Sequence, residues 1–556
     1  MAFAILLTET TTSTAQSVNE IKNSKDYLWA EGEGESVRQA EKMALEWLME
    51  RAFTDSNYQF DDQVLTTYTK AFLQNTTTVE ITKEPTAKVF RYMSIDDVKR
   101  IINNRIEKVN QYVKFANTAE RKGYMDVALQ NYYWANCLLA SLPNADEMRS
   151  PDPQMPMKTW IPNQMDEIFA NIKVQKQKVD GEFVTLYITY KGEPVSRLDY
   201  TYFDGRGMSN IHSAVDGIGF MEMYPGVSTD NLRIKCEYEY ESQVQLDEDV
   251  EAVIDVIKKP WFKIASIQVD DLPSHTTGPM PKQLNLTTLS EKEVKTYEDI
   301  LNQVANAINN KDYKSVNQFF TEEAAEMFHQ LVKYGQARVL NVSNLIYIKD
   351  GNEVLCRSIP MSFSFKNNLR KFVENVTFIF DANQKIRSVA FGLEEEAAAE
   401  ILTRNDYPEK ARLELVKFLE DYKTAFTLKR IDCLNGIFDE QAINLSDQKT
   451  YVLERIVKYN RFTMKEYFAQ LRRVFSLKGF VNLRLFNFEI VKGSEELGEV
   501  YGIKLWQDYY CSSYGDRGYL FLVLDLNNPD KPTVKLATYQ NEKDHQYGWY
   551  DWSSFY

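Results

Sequence analysis

Lys311-Asp312-Tyr313-Lys314-Ser315-Val316-Asn317-Gln318-Phe319-Phe320-Thr321-Glu322-Glu323-Ala324 is echoed, 118 positions later, by Lys429-Arg430-Ile431-Asp432-Cys433-Leu434-Asn435-Gly436-Ile437-Phe438-Asp439-Glu440-Gln441-Ala442 in this chain of 556 residues. Lys311, Asn317, Phe320, Glu322 and Ala324 find the same residue types at Lys429, Asn435, Phe438, Glu440 and Ala442. Each stretch follows an amphipathic helix, predicted over 291–309 and 409–427, and precedes a run of long strands. An echo at this spacing points to two copies of one α+β unit rather than to a short solenoid repeat. Within it the Asn is expected to cap backbone groups at a helix end, and the Phe to plug a core.

Beyond the echo, extended runs are predicted at 337–349, 353–365, 372–380 and 386–391 in the first copy. The second copy shows them at 481–491, 499–509, 519–526 and 533–538. Helices followed by a strongly bent antiparallel sheet resemble the cone-shaped, cystatin-like fold of nuclear transport factor two and scytalone dehydratase. The resemblance spans roughly residues 290–550, divided as 290–400 and 407–556. That fold hosts enzymes, binding proteins and dimer modules alike, so it implies no single function. An enzyme built on it would need titratable groups in the mouth of a cone. Asp508 and Tyr510 on a predicted strand, and His329 on a predicted helix, are the candidates for ligand binding. For each, the alternation of the strand or an ordinary helix surface explains the residue as well.

Working toward the N-terminus, Leu232, Ile234, Cys236, Tyr238 and Tyr240 alternate with Arg233, Lys235, Glu237, Glu239 and Glu241. Period-two alternation marks a sheet with one buried and one wet face. With turns at Lys191-Gly192, Asp204-Gly205 and Asp216-Gly217, residues 165–270 are expected to form an immunoglobulin-like β-sandwich. Prolines 143, 151, 153, 156 and 162 predict a stiff linker over 143–164, and residues 271–289 predict a second one. Ser290 and Glu293 form a capping box at the head of the first copy. Residues 94–142 read as a helical hairpin opened by Ser94-Ile95-Asp96-Asp97 and broken at Gly123; it resembles a single tetratricopeptide-type pair.

Tyr27-Leu28-Trp29-Ala30-Glu31-Gly32-Glu33-Gly34-Glu35 reads as a strand and a Gly-rich turn, and an Ala-rich helix follows. These residues, within the module 17–93, resemble the start of the Lpp-twenty-type envelope lipoprotein domain. The resemblance implies a cell-envelope role, although the Cys that carries the lipid in that family has no counterpart here. Ala2-Phe3-Ala4-Ile5-Leu6-Leu7 with Ser13-Thr14-Ala15 reads as a signal-like segment over 1–16, and predicts export to the periplasm or outer membrane. The fold class expected is multidomain α+β: an α/β module with a hairpin, a β-sandwich and two tandem cones.

The net charge of −15 repels phosphate backbones and argues against nucleic acid as a partner. No stretch approaches the roughly 18 apolar residues of a membrane span. The five cysteines are scattered without metal-ligand spacing, and four histidines leave little for a His-based triad or zinc site. Nucleophile elbow, P-loop, H-E-x-x-H and C-x-x-C motifs are all missing from the sequence, so no cofactor is predicted. Two features suggest partner binding: the cations Lys366, Arg370 and Lys371, and an aromatic terminus that includes Trp549 and Trp552. The function expected is an exported, non-enzymatic envelope protein that binds or scaffolds a protein or glycan component. The alternatives are an enzyme using Tyr and carboxylate acid–base groups in a cone, and a glycan-binding protein.

Overall fold

A computed structural model describes residues 18–54, 62–151, 155–257, 262, 265–271, 289–342, 345–365, 370–404, 406–447, 459–476, 479–511, 515–528, 531–540 and 548–554. The signal-like segment, Lys366 and most of the second predicted linker lie outside these residues. The chain is mixed α/β and divides into two units. One draws on residues 1–114, 131–163 and 247–261; the other holds 115–130, 164–246 and 262–556.

In the first unit, strands Tyr27–Gly34, Ala87–Ser94 and Thr77–Thr82 form an antiparallel sheet in that spatial order. Helix Val37–Thr54 closes one face, its Leu45, Leu48, Ala52 and Phe53 packing with Leu28, Ala30 and Met93. The Gly-Glu-Gly stretch is not the turn expected from sequence, because Gly32 and Gly34 belong to the strand. Its glycine serves close packing instead: a Cβ on Gly32 would lie 1.9 Å from the carbonyl oxygen of Ala40 on the helix. Ser94 caps helix Ile95–Arg121 as predicted, its hydroxyl accepting the Asp97 N–H at 3.0 Å. The proline-rich linker is corrected in part. Met157–Asn171 is a helix that contains Pro162; at the sixth position it lies past the first four N–H groups that lack intrahelical partners, so the ring forgoes one bond, to the Lys158 carbonyl.

The second unit begins with a ring of strands rather than a two-layer sandwich. Ile172–Asp180 pairs with Phe183–Tyr190, which pairs with Ile218–Glu222. That strand meets Ile211–Val215 through the pair Val215 and Ile218, across the turn Asp216-Gly217. Ile211–Val215 pairs with Arg197–Tyr202, then come Arg233–Cys236 and Ser266–Asp271. The last returns, in parallel, to Ile172–Asp180 at Val269 and Val174. The reason the sequence suggested a sandwich is plain. Alternating burial is common to sandwich and ring, and only the parallel closing pair distinguishes them. The alternation itself holds: Leu232, Ile234, Cys236, Tyr238 and Tyr240 are buried, although the strand ends at Cys236.

The two echoing stretches leave their leading helices in one geometry. Helices Glu291–Asn309 and Glu409–Thr427 have the spans predicted. Each ends in a lysine with left-handed backbone, Lys311 at φ 59° and Lys429 at φ 58°. The Asp312 and Arg430 N–H groups then donate to Ala307 and Ala425 carbonyls at 2.8 and 2.7 Å, while Lys311 and Lys429 donate to Ile308 and Phe426. This is a Schellman-type exit, built twice at equivalent positions. Val316 and Leu434 follow into the two cores, and then Phe320 and Phe438, both buried. Phe320 forms a parallel bridge with Ile386 on the last strand of the first repeat. Phe438 does the same with Val534 on the last strand of the second. The caps expected from the asparagines are not seen: Asn317 offers its backbone carbonyl to the Phe320 N–H, and both asparagine side chains are exposed.

Each repeat then lays down its sheet. In the first, Ile346–Asp350, Glu353–Phe363, Arg370–Phe380 and Ile386–Phe391 pair consecutively and antiparallel. In the second, Val481–Lys492, Val500–Cys511, Gly515–Asp525 and Thr533–Gln540 do so. Bulges between Cys356 and Ile359 in the first sheet, and between Phe486 and Glu489 in the second, bend the two sheets. The second repeat departs from the first within the shared motif: where Thr321 leads into helix Glu322–Lys333, Phe438 opens strand Phe438–Asp447, and strand Tyr459–Phe462 follows before helix Met464–Ser476. The first sheet joins the ring where Arg370 and Lys371 pair in parallel with Ile211 and His212. Capping-box geometry is present at Ser290, whose N–H donates to the Glu293 carboxylate at 2.9 Å.

Candidate functional site

The densest chemistry among the described residues is a buried network of charges inside the second unit. Its framework is set by strand alternation. Asn482 and Arg484 project from the same face of Val481–Lys492, and Asp508 stands opposite Arg484 on the neighbouring strand. Arg517 stands opposite Asp508 one strand further on. The other face of this sheet carries Leu483, Leu485, Leu505, Leu520 and Leu522 into the repeat core.

Arg484 donates to both oxygens of Asp126, at 2.5 and 3.3 Å. Arg517 grips Asp508 with two nitrogens, at 2.6 and 2.9 Å, and donates to Gln130 at 2.7 Å. On the first repeat, Glu374 receives Lys423 at 2.7 Å, Asn482 at 2.9 Å and Arg197 at 3.3 Å. Arg370 donates to Asp199 at 2.8 Å, and Ser213 and Tyr240 complete that carboxylate. Five carboxylates (Asp126, Asp199, Glu374, Glu394, Asp508) therefore meet five cations (Arg197, Arg370, Lys423, Arg484, Arg517).

The electrostatics follow. Burial by itself pushes the Glu374 carboxyl up, but Lys423 and Arg197 outweigh it and hold the group down to about 2. Burial works likewise against Asp126, and Arg484 and Arg197 keep it below the usual carboxylate range. Burial opposes charge on Arg484 as well, and Asp126, Glu394 and Asp508 reverse the direction.

The residues singled out from sequence fall in different places. Asp508 lies within the network, both oxygens taken by Arg517, and the Tyr510 hydroxyl is 3.5 Å from it. His329 is far from these contacts in kind: half-buried on helix Glu322–Lys333, its Nε2 sits 3.0 Å from Asn317 Oδ1. Arg370 is not part of a solvated basic turn but is committed to Asp199, and Lys371 pairs with Glu222 at 2.6 Å. The terminal tryptophans rest on the second repeat. Trp549 meets Trp506 and Tyr519 at ring distances of 5.2 Å, and the Trp552 indole N–H donates to the Val491 carbonyl at 3.3 Å. Gly502 makes the room for this ring, since a Cβ there would lie 2.2 Å from Trp552 Nε1.

Sequence reasoning missed Arg197, Glu374, Lys423 and Arg484. The signal was faint: Lys423 stands between Tyr422 and Ala425-Phe426. No group of His, Cys, Asp and Glu among the described residues has the arrangement of a metal site. No described helix is long and apolar enough to cross a membrane.

No protein-family profile and no curated protein matches this chain. Similar solved structures include a protein of Silicibacter pomeroyi described as NTF-2 like and of unknown function: 14% identical over 23% of this chain and 92% of that one, TM-score 0.18. The beta subunit of a putative aromatic-ring-hydroxylating dioxygenase of Novosphingobium aromaticivorans is similar at 12% identity, over 23% of this chain and 88% of that one, TM-score 0.19. The helical cell shape determining protein Pgp2 of Campylobacter jejuni is similar over 64% of this chain and 87% of its own, at 9% identity and TM-score 0.18.

Proposed function

We propose that this chain is an exported cell-envelope protein that binds or scaffolds a protein or glycan component and performs no chemistry of its own. The observation that carries the proposal is the mutual pairing of most of its buried charges. Asp126, Asp199, Glu374 and Asp508, which an acid–base site would aim at a substrate, are each held by a buried Arg or Lys. The repeat interiors support the same reading, being occupied by side chains such as Phe328, Phe378 and Phe380 in one and Leu419, Leu483 and Leu522 in the other. On this view the two cones act as struts.

A second reading, glycan binding, is favoured by one feature: the half-buried rings of Trp506, Trp549 and Trp552, gathered on one sheet. One experiment weighs both. The full-length protein carrying a photo-crosslinker beside Trp549 is irradiated in cells, and adducts are resolved in the envelope and soluble fractions. A reproducible protein or glycan adduct in the envelope fraction is expected; a protein adduct supports the first reading alone, and a glycan adduct brings the second in. Accumulation in the cytosol without adducts would contradict both.

A further inference from the structure

Glu394 stands apart from the other buried carboxylates. Asp126, Asp199, Glu374 and Asp508 each receive directed hydrogen bonds, whereas both oxygens of Glu394 have no hydrogen-bond partner among the described residues. Its cations are close without being aligned. Arg197 Nη2 lies 3.3 Å and Arg484 Nε 3.7 Å from Glu394 Oε1. Three more polar atoms nearby are in the same condition: Arg197 Nε, Arg484 Nε and the Tyr124 hydroxyl, whose ring lies 5.3 Å from the Arg484 guanidinium. All four residues are at most 3% exposed.

The atoms left over are of both kinds. The Glu394 oxygens call for donors, and the two arginine N–H groups call for acceptors. An added cation would face two guanidinium groups, and an added anion would face the Glu394 carboxylate. A ligand that donates and accepts at once answers every atom in the places they hold. We infer that Glu394, Arg197, Arg484 and Tyr124 form a closed binding site for ordered water. Since a buried water makes about three hydrogen bonds, about two molecules meet the demand. They bridge the carboxylate to the two arginines, and so complete the network that direct pairs leave open.

A crystal structure of the full chain, at a resolution that shows single waters, tests this. Solvent peaks are expected within about 3.2 Å of both Glu394 oxygens, bridging to Arg197 Nε, Arg484 Nε or the Tyr124 hydroxyl. In a Tyr124→Phe structure the peak on the hydroxyl is expected to vanish while a peak on Glu394 stays. Direct bidentate contact of Glu394 with either arginine, with no solvent density between, would overturn the inference. So would an ion in the same place. If the variant does not fold, the wild-type map alone decides.

Discussion

Phe320 and Phe438 show what a single residue does in both repeats. Each lies late in the shared motif, turns inward and seats the chain against the last strand of its own sheet. Their truncation leaves a cavity that backbone pairing on either side keeps from collapsing. Phe320→Ala and Phe438→Ala are each expected to cost about 3–5 kcal/mol, measured by chemical denaturation. Unchanged stability would place the motif on a surface. His212 makes a different prediction. It is buried in the ring, its Nδ1 3.2 Å from the Phe220 carbonyl and its ring against Tyr202. Burial, with help from Lys371, pushes its imidazolium down to about 3. The folded protein thus resists a proton that the unfolded chain accepts near pH 6.5. This contribution to stability is full above about pH 6.5 and is lost as pH falls toward 3. A His212→Gln variant should flatten that part of the stability–pH curve; a curve unchanged by the variant would contradict the assignment.

At the scale of elements, the helix exits and the buried pairs each yield a test. Lys311 and Lys429 hold left-handed backbone at positions where glycine is the usual choice. Lys429→Gly is therefore expected to raise stability by about 0.5–1 kcal/mol, and a loss in thermal melts would contradict the reading. Helix Glu409–Thr427 reaches back to the first repeat with polar groups. Lys423 donates to Glu374 and to the Gly392 carbonyl, and Thr424 accepts the Phe391 N–H. Lys423→Met strands Glu374 with one cation fewer and is expected to cost about 3–5 kcal/mol. Adding Glu374→Gln should cost less than the sum of the two single changes, with a coupling of about 0.5–3 kcal/mol.

These elements also show what the sequence could reveal. The helix spans, the strand runs and the capping box at Ser290 were legible, because each is written in local periodicity and local caps. The buried charges were not. Arg484 and Asp508 sit on the polar face of alternating strands, which normally faces water. Here Asp126, Glu394 and Gln130, distant in sequence, cover that face. Arg370 misled for the same reason: beside Lys371 it looked like a cation offered to a partner, while Asp199, 171 residues earlier, holds it. The ring escaped notice because its parallel closing pair joins strands that local patterns treat alike.

At the scale of the molecule, the central claim concerns the second unit: the charge network binds the strand ring and the two repeats into one cooperative body. Several of the pairs join different parts, as Arg197 of the ring does with Glu374 of the first repeat, and Asn482 of the second with the same carboxylate. Native-state hydrogen exchange tests this most directly, read on peptides from Arg197–Tyr202, Arg370–Phe380 and Val481–Lys492. The account predicts that all three exchange through one global opening, with a common free energy that falls together in Lys423→Met. Three separate opening energies, with only the first repeat responding to the substitution, would contradict it.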